Sequence, residues 1–133
     1  MDCLPLTKYN EQYYVTKNNN SNNSFNYYVL DYDKKIIGIC KLGISLEYTG
    51  ICIDIIPEYQ NKGIGKVTLE FIIKDIFKNY DTERIIYIST NEASRKIALN
   101  NGFILNKRNV LELKAKDYIK KMEENIESSY SKK

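Results

Sequence analysis

The residues best suited to chemistry stand close together in the middle of the chain. Gly63, Gly65 and Lys66 end a polar stretch, and Asp54 interrupts an apolar run shortly before it. The chain has no histidine, which excludes nucleophiles activated by histidine and zinc sites built on it. An acid or base must therefore be an Asp, Glu, Tyr, Cys or Lys side chain, or water.

The segment 57–66 predicts a phosphate-binding site. It lies between an apolar strand and an apolar helix, and the first turn of a helix offers unpaired N–H groups and partial positive charge to an anion. The same glycines also fit a tight strand-to-helix turn without a ligand. Two other phosphate loops are excluded, because Val67 replaces the Ser or Thr of a Walker A loop and Thr68 replaces the third glycine of a dinucleotide fingerprint.

The elements around this segment follow from the spacing of apolar residues. The run 51–56 predicts a central strand covered on both faces, with Asp54 as its one charged residue. From 64 to 77 most positions are apolar, while a polar stripe of residues four apart runs along one side, which predicts a mostly buried helix. The stripe consists of Lys66, Glu70, Lys74 and Lys78. A second apolar strand at 85–88 then predicts a parallel pair joined by a right-handed crossover.

The flanking segments predict a mainly antiparallel sheet. Residues 13–16 predict a short strand, the Asn- and Ser-rich tract 18–24 a loop, and residues 27–31 and 36–44 two antiparallel strands.

The C-terminal third predicts two helices around a hairpin. Asn91 suits an N-cap and Gly102 a left-handed position past the end, so a helix is expected over 93–101. A hairpin follows at 103–106 and 110–113. The chain then continues in an amphipathic helix from Ala115 and a frayed tail over 128–133.

Composition predicts one globular domain over 1–133. The chain has 133 residues, 43% of them hydrophobic, and a mean hydropathy of −0.47. Without a membrane-length apolar run or a signal pattern, we expect a cytoplasmic protein with no membrane partner. A net charge of +3 is too small to indicate a nucleic-acid partner. Cys3, Cys40 and Cys52 lack metal-site spacing, so free thiols and no metal site are expected.

Two segments together resemble the GCN5-related N-acetyltransferase (GNAT) superfamily. Residues 53–66, IDIIPEYQNKGIGK, contain the pattern Q-x-x-G-x-G and are similar to the family's acetyl-CoA pyrophosphate loop with its preceding strand. Residues 91–103, NEASRKIALNNGF, resemble its second cofactor segment. The resemblance covers about residues 25–113, and the N-x-A-S form is most similar to the branch of ribosomal-protein N-terminal acetyltransferases.

The resemblance implies an α/β (α+β) fold. Its central sheet is mixed and mostly antiparallel, with one parallel, splayed strand pair and helices on both faces. The family's two helices between the first and second strands are expected to be missing or reduced, because only the Asn/Ser tract occupies that interval.

The resemblance also implies how acetyl-CoA, or coenzyme A, is held. The pantetheine arm pairs with the strand edge at Ile55 and Ile56, as an added strand does. Asn91 and Ser94 also contact the cofactor, although Asn91 equally fits a plain N-cap. The loop residues that hold the pyrophosphate are Gln60, Asn61, Lys62, Gly63, Ile64, Gly65 and Lys66. Lys66 has a second interpretation, as a solvated residue of the helix's polar stripe.

Three residues are the candidates for catalysis. Asp54 is the first candidate for the base, because burial among apolar residues favours the protonated form of a carboxylate. Glu47 acting through water is its rival, and Asp54 alternatively serves only as a carboxylate satisfied by a neighbour. Ser94 is expected to hydrogen-bond the sulfur or simply to cap its helix. The tyrosine that often acts as the family's acid is replaced by Ala98.

The implied function is an N-acetyltransferase. It transfers the acetyl group of acetyl-CoA directly to a primary amine of a small molecule or a protein N-terminus. The alternative is a coenzyme A-binding module without useful turnover, since the acid is missing and the acceptor region is short. A homodimer is a further possibility, because a second subunit would complete a shallow acceptor pocket.

Overall fold

The protein is described by a computed structural model covering residues 2–6, 11–89 and 91–131. One mixed sheet carries eight strands, and three α-helices pack against it. The strands are β1 (Asp2–Leu6), β2 (Glu11–Ser21), β3 (Ser24–Leu30), β4 (Ile36–Ile44), β5 (Thr49–Ile55), β6 (Arg84–Tyr87), β7 (Ile104–Leu105) and β8 (Leu111–Lys114). The helices are α1 (Ile64–Asn79), α2 (Glu92–Leu99) and α3 (Ala115–Ser131), and a 3₁₀ turn spans Pro57–Tyr59.

The strand order is β1-β2-β3-β4-β5-β6-β8-β7, and every neighbouring pair is antiparallel except β5 and β6. This confirms the predicted mixed sheet with one parallel pair. The parallel pairing extends only from Thr49 to Ile51 on β5. Beyond Ile51 the two strands part, which confirms the expected splay and leaves the rest of β5 without a strand neighbour on that side.

The core lies on the face of the sheet that carries Ile51, Ile53 and Ile85, and α1 supplies fully buried residues such as Leu69 and Ile72 to it. Burying these branched side chains is the main term that stabilises the fold.

The opposite face of β2 to β5 is open. Thr16, Tyr28 and Cys52 are half-buried there, and Asp54 is exposed. The expectation that β5 is covered on both faces is therefore wrong. The described residues before Pro57 contain no helix, which agrees with the expected loss of the family's first two helices.

The Asn/Ser tract is not the loop that its composition predicts. β2 runs on through Ser21, only Asn22 and Asn23 form the turn, and β3 begins at Ser24. Backbone pairing with β3 holds this part of β2, so its polar side chains stay exposed and leave no apolar alternation to detect.

The C-terminal prediction was half right. The amphipathic helix begins at Ala115 as expected, but it continues to Ser131 instead of ending in a tail at 128. Residues 132 and 133 lie outside the described residues. The strand β1 was not predicted. Within the described residues no helix is long and apolar enough to cross a membrane.

Candidate active site

A cleft of about 620 Å³ opens where β5 and β6 separate. Its walls are the end of β5, the following loop, the first turn of α1 and one side of α2. Most of the residues predicted to act in catalysis or to bind the cofactor line this cleft: Asp54, Ile55, Gln60, Asn61, Gly63, Gly65, Lys66, Asn91 and Ser94.

Four predicted residues do not line the cleft. Glu47 lies in the connection before β5, at the end of the strand opposite the cleft. The Lys62 ammonium sits 5.3 Å from the centre of the Tyr59 ring. The Ile64 side chain is buried in the core, so only its backbone can meet a ligand.

Ile56, the fourth, uses both of its backbone groups inside the protein. Its N–H donates to Ile37 O at 2.9 Å, and its carbonyl accepts from Tyr59 N at 3.0 Å. A cofactor arm therefore finds no unpaired N–H at Ile56, and the pairing expected there stays a prediction. The unpaired N–H of this strand edge belongs to Ile55.

The first turn of α1 presents free donors to the cleft. Gly63 is the N-cap with a left-handed φ of 82°, and no side chain caps the helix. The first helical bond runs from Val67 N to Gly63 O at 3.2 Å, so Ile64, Gly65 and Lys66 have no partner within the helix for their N–H groups. No acidic residue stands in this turn. The helix therefore offers three N–H groups and the positive end of its dipole to an anion.

The two glycines of the loop have different roles. A Cβ added to Gly63 meets nothing within 4 Å, so the space above it is open to a ligand. A Cβ on Gly65 would lie 2.4 Å from Ile97 Cδ1, because α2 packs closely on α1 at this point. Gly63 thus supplies the turn and the open approach, and Gly65 supplies helix contact.

The free edge of β5 is partly capped by side chains. Since Ile56 N–H faces β4, the alternation of a strand turns the polar groups of Ile53 and Ile55 toward the cleft. Ile55 O accepts from Gln60 Nε2 at 2.8 Å. Ile53 N donates to the Tyr87 hydroxyl oxygen at 3.2 Å, and Ser94 Oγ donates to Ile53 O at 2.5 Å. The Tyr87 hydroxyl oxygen also lies 3.3 Å from Ile53 O. Among the described side chains none caps the Ile55 N–H.

Asp54 borders the cleft from the open face of the sheet. Its side chain is exposed, and its nearest polar partner is Cys52 Sγ at 3.7 Å from Oδ2. The burial that made it the first candidate for the base is absent. Its position beside Ile55, at the mouth of the cleft, is what remains in favour of that role.

The start of α2 combines capping with contact to the strand edge. Asn91 Oδ1 accepts from Ser94 N at 3.1 Å, which confirms Asn91 as the N-cap. Ser94 Oγ turns inward to Ile53, so the hydroxyl does not cap the helix. Ala98 is fully buried in the core. The hydroxyl that enters the strand gap is that of Tyr87, which sequence analysis missed because an alternating apolar strand assigns its tyrosine to the core.

A second contact that sequence analysis missed anchors the loop. The Tyr59 hydroxyl donates to Asp31 Oδ2 at 3.0 Å, and Lys35 N donates to Asp31 Oδ1 at 2.8 Å. The bond from Lys35 N, together with that from Tyr59, lowers the pKa of the Asp31 carboxyl. The bond to Asp31 in turn raises the pKa of Tyr59. The connection between β3 and β4 therefore holds the loop that leads into α1.

The comparisons with known proteins agree with this geometry. The family model described as acetyltransferase (GNAT) family matches residues 1–103. No curated protein sequence matches the chain.

Three solved structures share the fold. The spermidine/spermine N-acetyltransferase SpeG from Vibrio cholerae is 19% identical, with a TM-score of 0.63 over 77% of this chain and 71% of that one. The ribosomal-protein-S5-alanine acetyltransferase from Vibrio fischeri is 28% identical, with a TM-score of 0.57 over 64% of this chain and 50% of that one.

The third is the N-acetyltransferase PseH from Campylobacter jejuni, determined in complex with acetyl coenzyme A. It is 19% identical, with a TM-score of 0.56 over 71% of this chain and 70% of that one. The family model covers more than half of the chain, and the cleft, the splayed strands and the uncapped helix agree with it. The chain belongs to the acetyltransferase (GNAT) family.

Proposed function

We propose that this protein transfers the acetyl group of acetyl-CoA to a primary amine by direct attack in the cleft between β5 and α2. The observation that carries the proposal is the first turn of α1, where three N–H groups without partners in the helix border an open cleft. A pyrophosphate satisfies such donors and complements the helix dipole. Lys66 adds a positive charge beside them.

The strand edge positions the acyl group. Ile55 N–H is the donor without a partner among the described residues, so it binds either an amide of the cofactor arm or the thioester oxygen. Holding the thioester against a fixed donor supplies the placement on which direct transfer depends. Ile55 O accepts one hydrogen bond from Gln60 Nε2 and keeps a second lone pair for a donor of the arm.

The amine approaches from the open face of the sheet. A new bond forms between the amine nitrogen and the acetyl carbon, and the bond from that carbon to sulfur breaks. Asp54, exposed at the mouth of the cleft, accepts the proton that the amine loses and passes it to water. Asp54 also attracts the cationic form of the acceptor before that proton is lost.

The acceptor is a primary amine of a peptide N-terminus or of a small polyamine. None of the described elements covers the sheet face around Asp54. This open surface suits either an extended peptide or a thin, linear polyamine cation. The relatives support both kinds of acceptor, since one is named for an alanine of a ribosomal protein and one for spermidine and spermine. The cytoplasmic location stays a prediction from the sequence.

The test is a thiol-release assay with acetyl-CoA and a panel of amines. The panel holds spermidine, a peptide that begins with alanine, and the same peptide with a blocked N-terminus. We expect thiol release with at least one free amine and none with the blocked peptide. Binding of acetyl-CoA in calorimetry without thiol release for any amine would instead support the binding module.

The role of Asp54 is tested by Asp54→Asn, with Glu47→Gln as its matched control at the far end of β5. Loss of a general base lowers turnover by about 100-fold or more, so Asp54→Asn is expected to do so while Glu47→Gln keeps wild-type turnover. Unchanged turnover and pH profile in Asp54→Asn would show that Asp54 is not the base.

A further inference from the structure

A closed ring of hydrogen bonds lies buried where β5 and β6 part. Ile53 N donates to the Tyr87 hydroxyl oxygen at 3.2 Å, and that oxygen lies 2.7 Å from Ser94 Oγ. Ser94 Oγ donates to Ile53 O at 2.5 Å. Because Ser94 gives its hydrogen to Ile53 O, the Tyr87 hydroxyl donates to Ser94 and closes the ring. All three residues are less than 5% exposed.

The Tyr87 hydroxyl has a second acceptor within reach. Ile53 O lies 3.3 Å from it, on the same side as Ser94 Oγ. If the hydroxyl hydrogen turns from Ser94 to Ile53 O, that buried carbonyl keeps a donor after Ser94 withdraws its own. Leaving a buried carbonyl without a donor costs free energy. The exchange avoids this cost, because Tyr87 donates to Ile53 O when Ser94 turns its hydrogen away.

The ring also limits how far the cofactor arm can pair with β5. With both polar groups of Ile53 occupied, the free edge consists of Ile55. The sulfur therefore comes to rest between Ile55 and the start of α2, where Ser94 is the hydroxyl that lines the cleft.

We propose that Tyr87 is a positioning residue that releases the Ser94 hydroxyl to hydrogen-bond the sulfur as it leaves. The inference rests on the proposed function and deepens it. No covalent bond to the protein forms, and the departing thiolate gains a hydrogen bond from Ser94 until it takes a proton from water. Burial raises the pKa of Tyr87, so the phenol keeps the hydrogen that this exchange needs.

The role of Tyr87 differs from that of an acid on α2. Its hydroxyl comes from β6, and the ring packs edge-on against Phe103 at 5.8 Å between centroids. Tyr87→Phe therefore removes the hydroxyl and keeps this packing. Tyr27→Phe is the matched control, since it removes a buried tyrosine hydroxyl that bonds Asp75 on α1.

The experiment follows the ionisation of the coenzyme A thiol while it is bound to the protein, by its thiolate absorbance against pH. We expect an ionisation constant about tenfold higher on the wild type than on Tyr87→Phe or Ser94→Ala. The variant Tyr87→Phe plus Ser94→Ala should match Ser94→Ala alone, because Tyr87 acts through Ser94. The ionisation constant of the thiol on Tyr27→Phe should equal that on the wild type.

The inference fails if the reductions of the thiol ionisation constant caused by Tyr87→Phe and Ser94→Ala add up in the double variant. It also fails if the ionisation constant on Tyr87→Phe equals that on the wild type. A third contradicting result is an unchanged ionisation constant of the thiol on Ser94→Ala. This measurement can be made even if Tyr87→Phe does not fold. Because this measurement needs no acceptor amine, its outcome is distinct from that of the thiol-release assay, which tests the proposed function.

Discussion

Asp31 links the loop before α1 to the connection between β3 and β4. Its folded pKa is lowered by the bonds from Lys35 N and Tyr59, below the value of about 3.9 of an unfolded chain. The ionised carboxylate therefore stabilises the fold above pH ~4, and this stabilisation is lost as the pH falls through the folded pKa. At about pH 7 the wild type should have a higher melting temperature than Asp31→Asn. The difference between the two melting temperatures should shrink toward pH ~3. A difference that is independent of pH would contradict this account.

Single residues show where sequence reasoning succeeds. Asn91 and Gly102 were found because helix ends demand particular residue types. The hydrogen bonds that the Tyr87 hydroxyl makes, and the bond between Gln60 and Ile55, could not be found from the sequence. They join positions that only the tertiary fold brings together.

The contact between α1 and α2 is the element on which the shape of the cleft depends. A methyl group at Gly65 would collide with Ile97, so Gly65→Ala should lower the free energy of unfolding by about 1–3 kcal/mol. Adding Ile97→Ala should recover part of that loss, since it removes the colliding atoms. Chemical denaturation measures both. Gly43→Ala is the control, because a Cβ there meets nothing within 4 Å.

The helices and the central strands were largely predictable, because their apolar residues recur with a single clear period. β4 and the start of α3 were found at their correct first residues. β2 was cut short because its end is polar on both faces and is held by pairing with β3. The exposure of the Asp54 side chain was missed for a related reason. An apolar run does not reveal that one face of its strand lies open to solvent.

At the scale of the whole molecule, α3 carries an apolar stripe that the domain leaves exposed. Ile119, Met122 and Ile126 are each more than 40% exposed and are spaced as one seam of a coiled coil. Antiparallel pairing with a second copy would bury this seam. We expect a dimer in sedimentation, and a monomer for Met122→Glu. Lys120→Gln, off the seam, should remain a dimer, and a wild-type monomer would refute the pairing.

The proposed activity depends most on the anion site at the start of α1. Calorimetric titration of Gly63→Glu and Gly63→Gln with acetyl-CoA tests this site directly. Both variants strain the left-handed φ of Gly63 equally, so they differ only in charge. If the pyrophosphate lies on this turn, Gly63→Glu should bind acetyl-CoA about tenfold more weakly, or worse, than Gly63→Gln. Equal affinities of the two variants would place the pyrophosphate elsewhere and contradict the account.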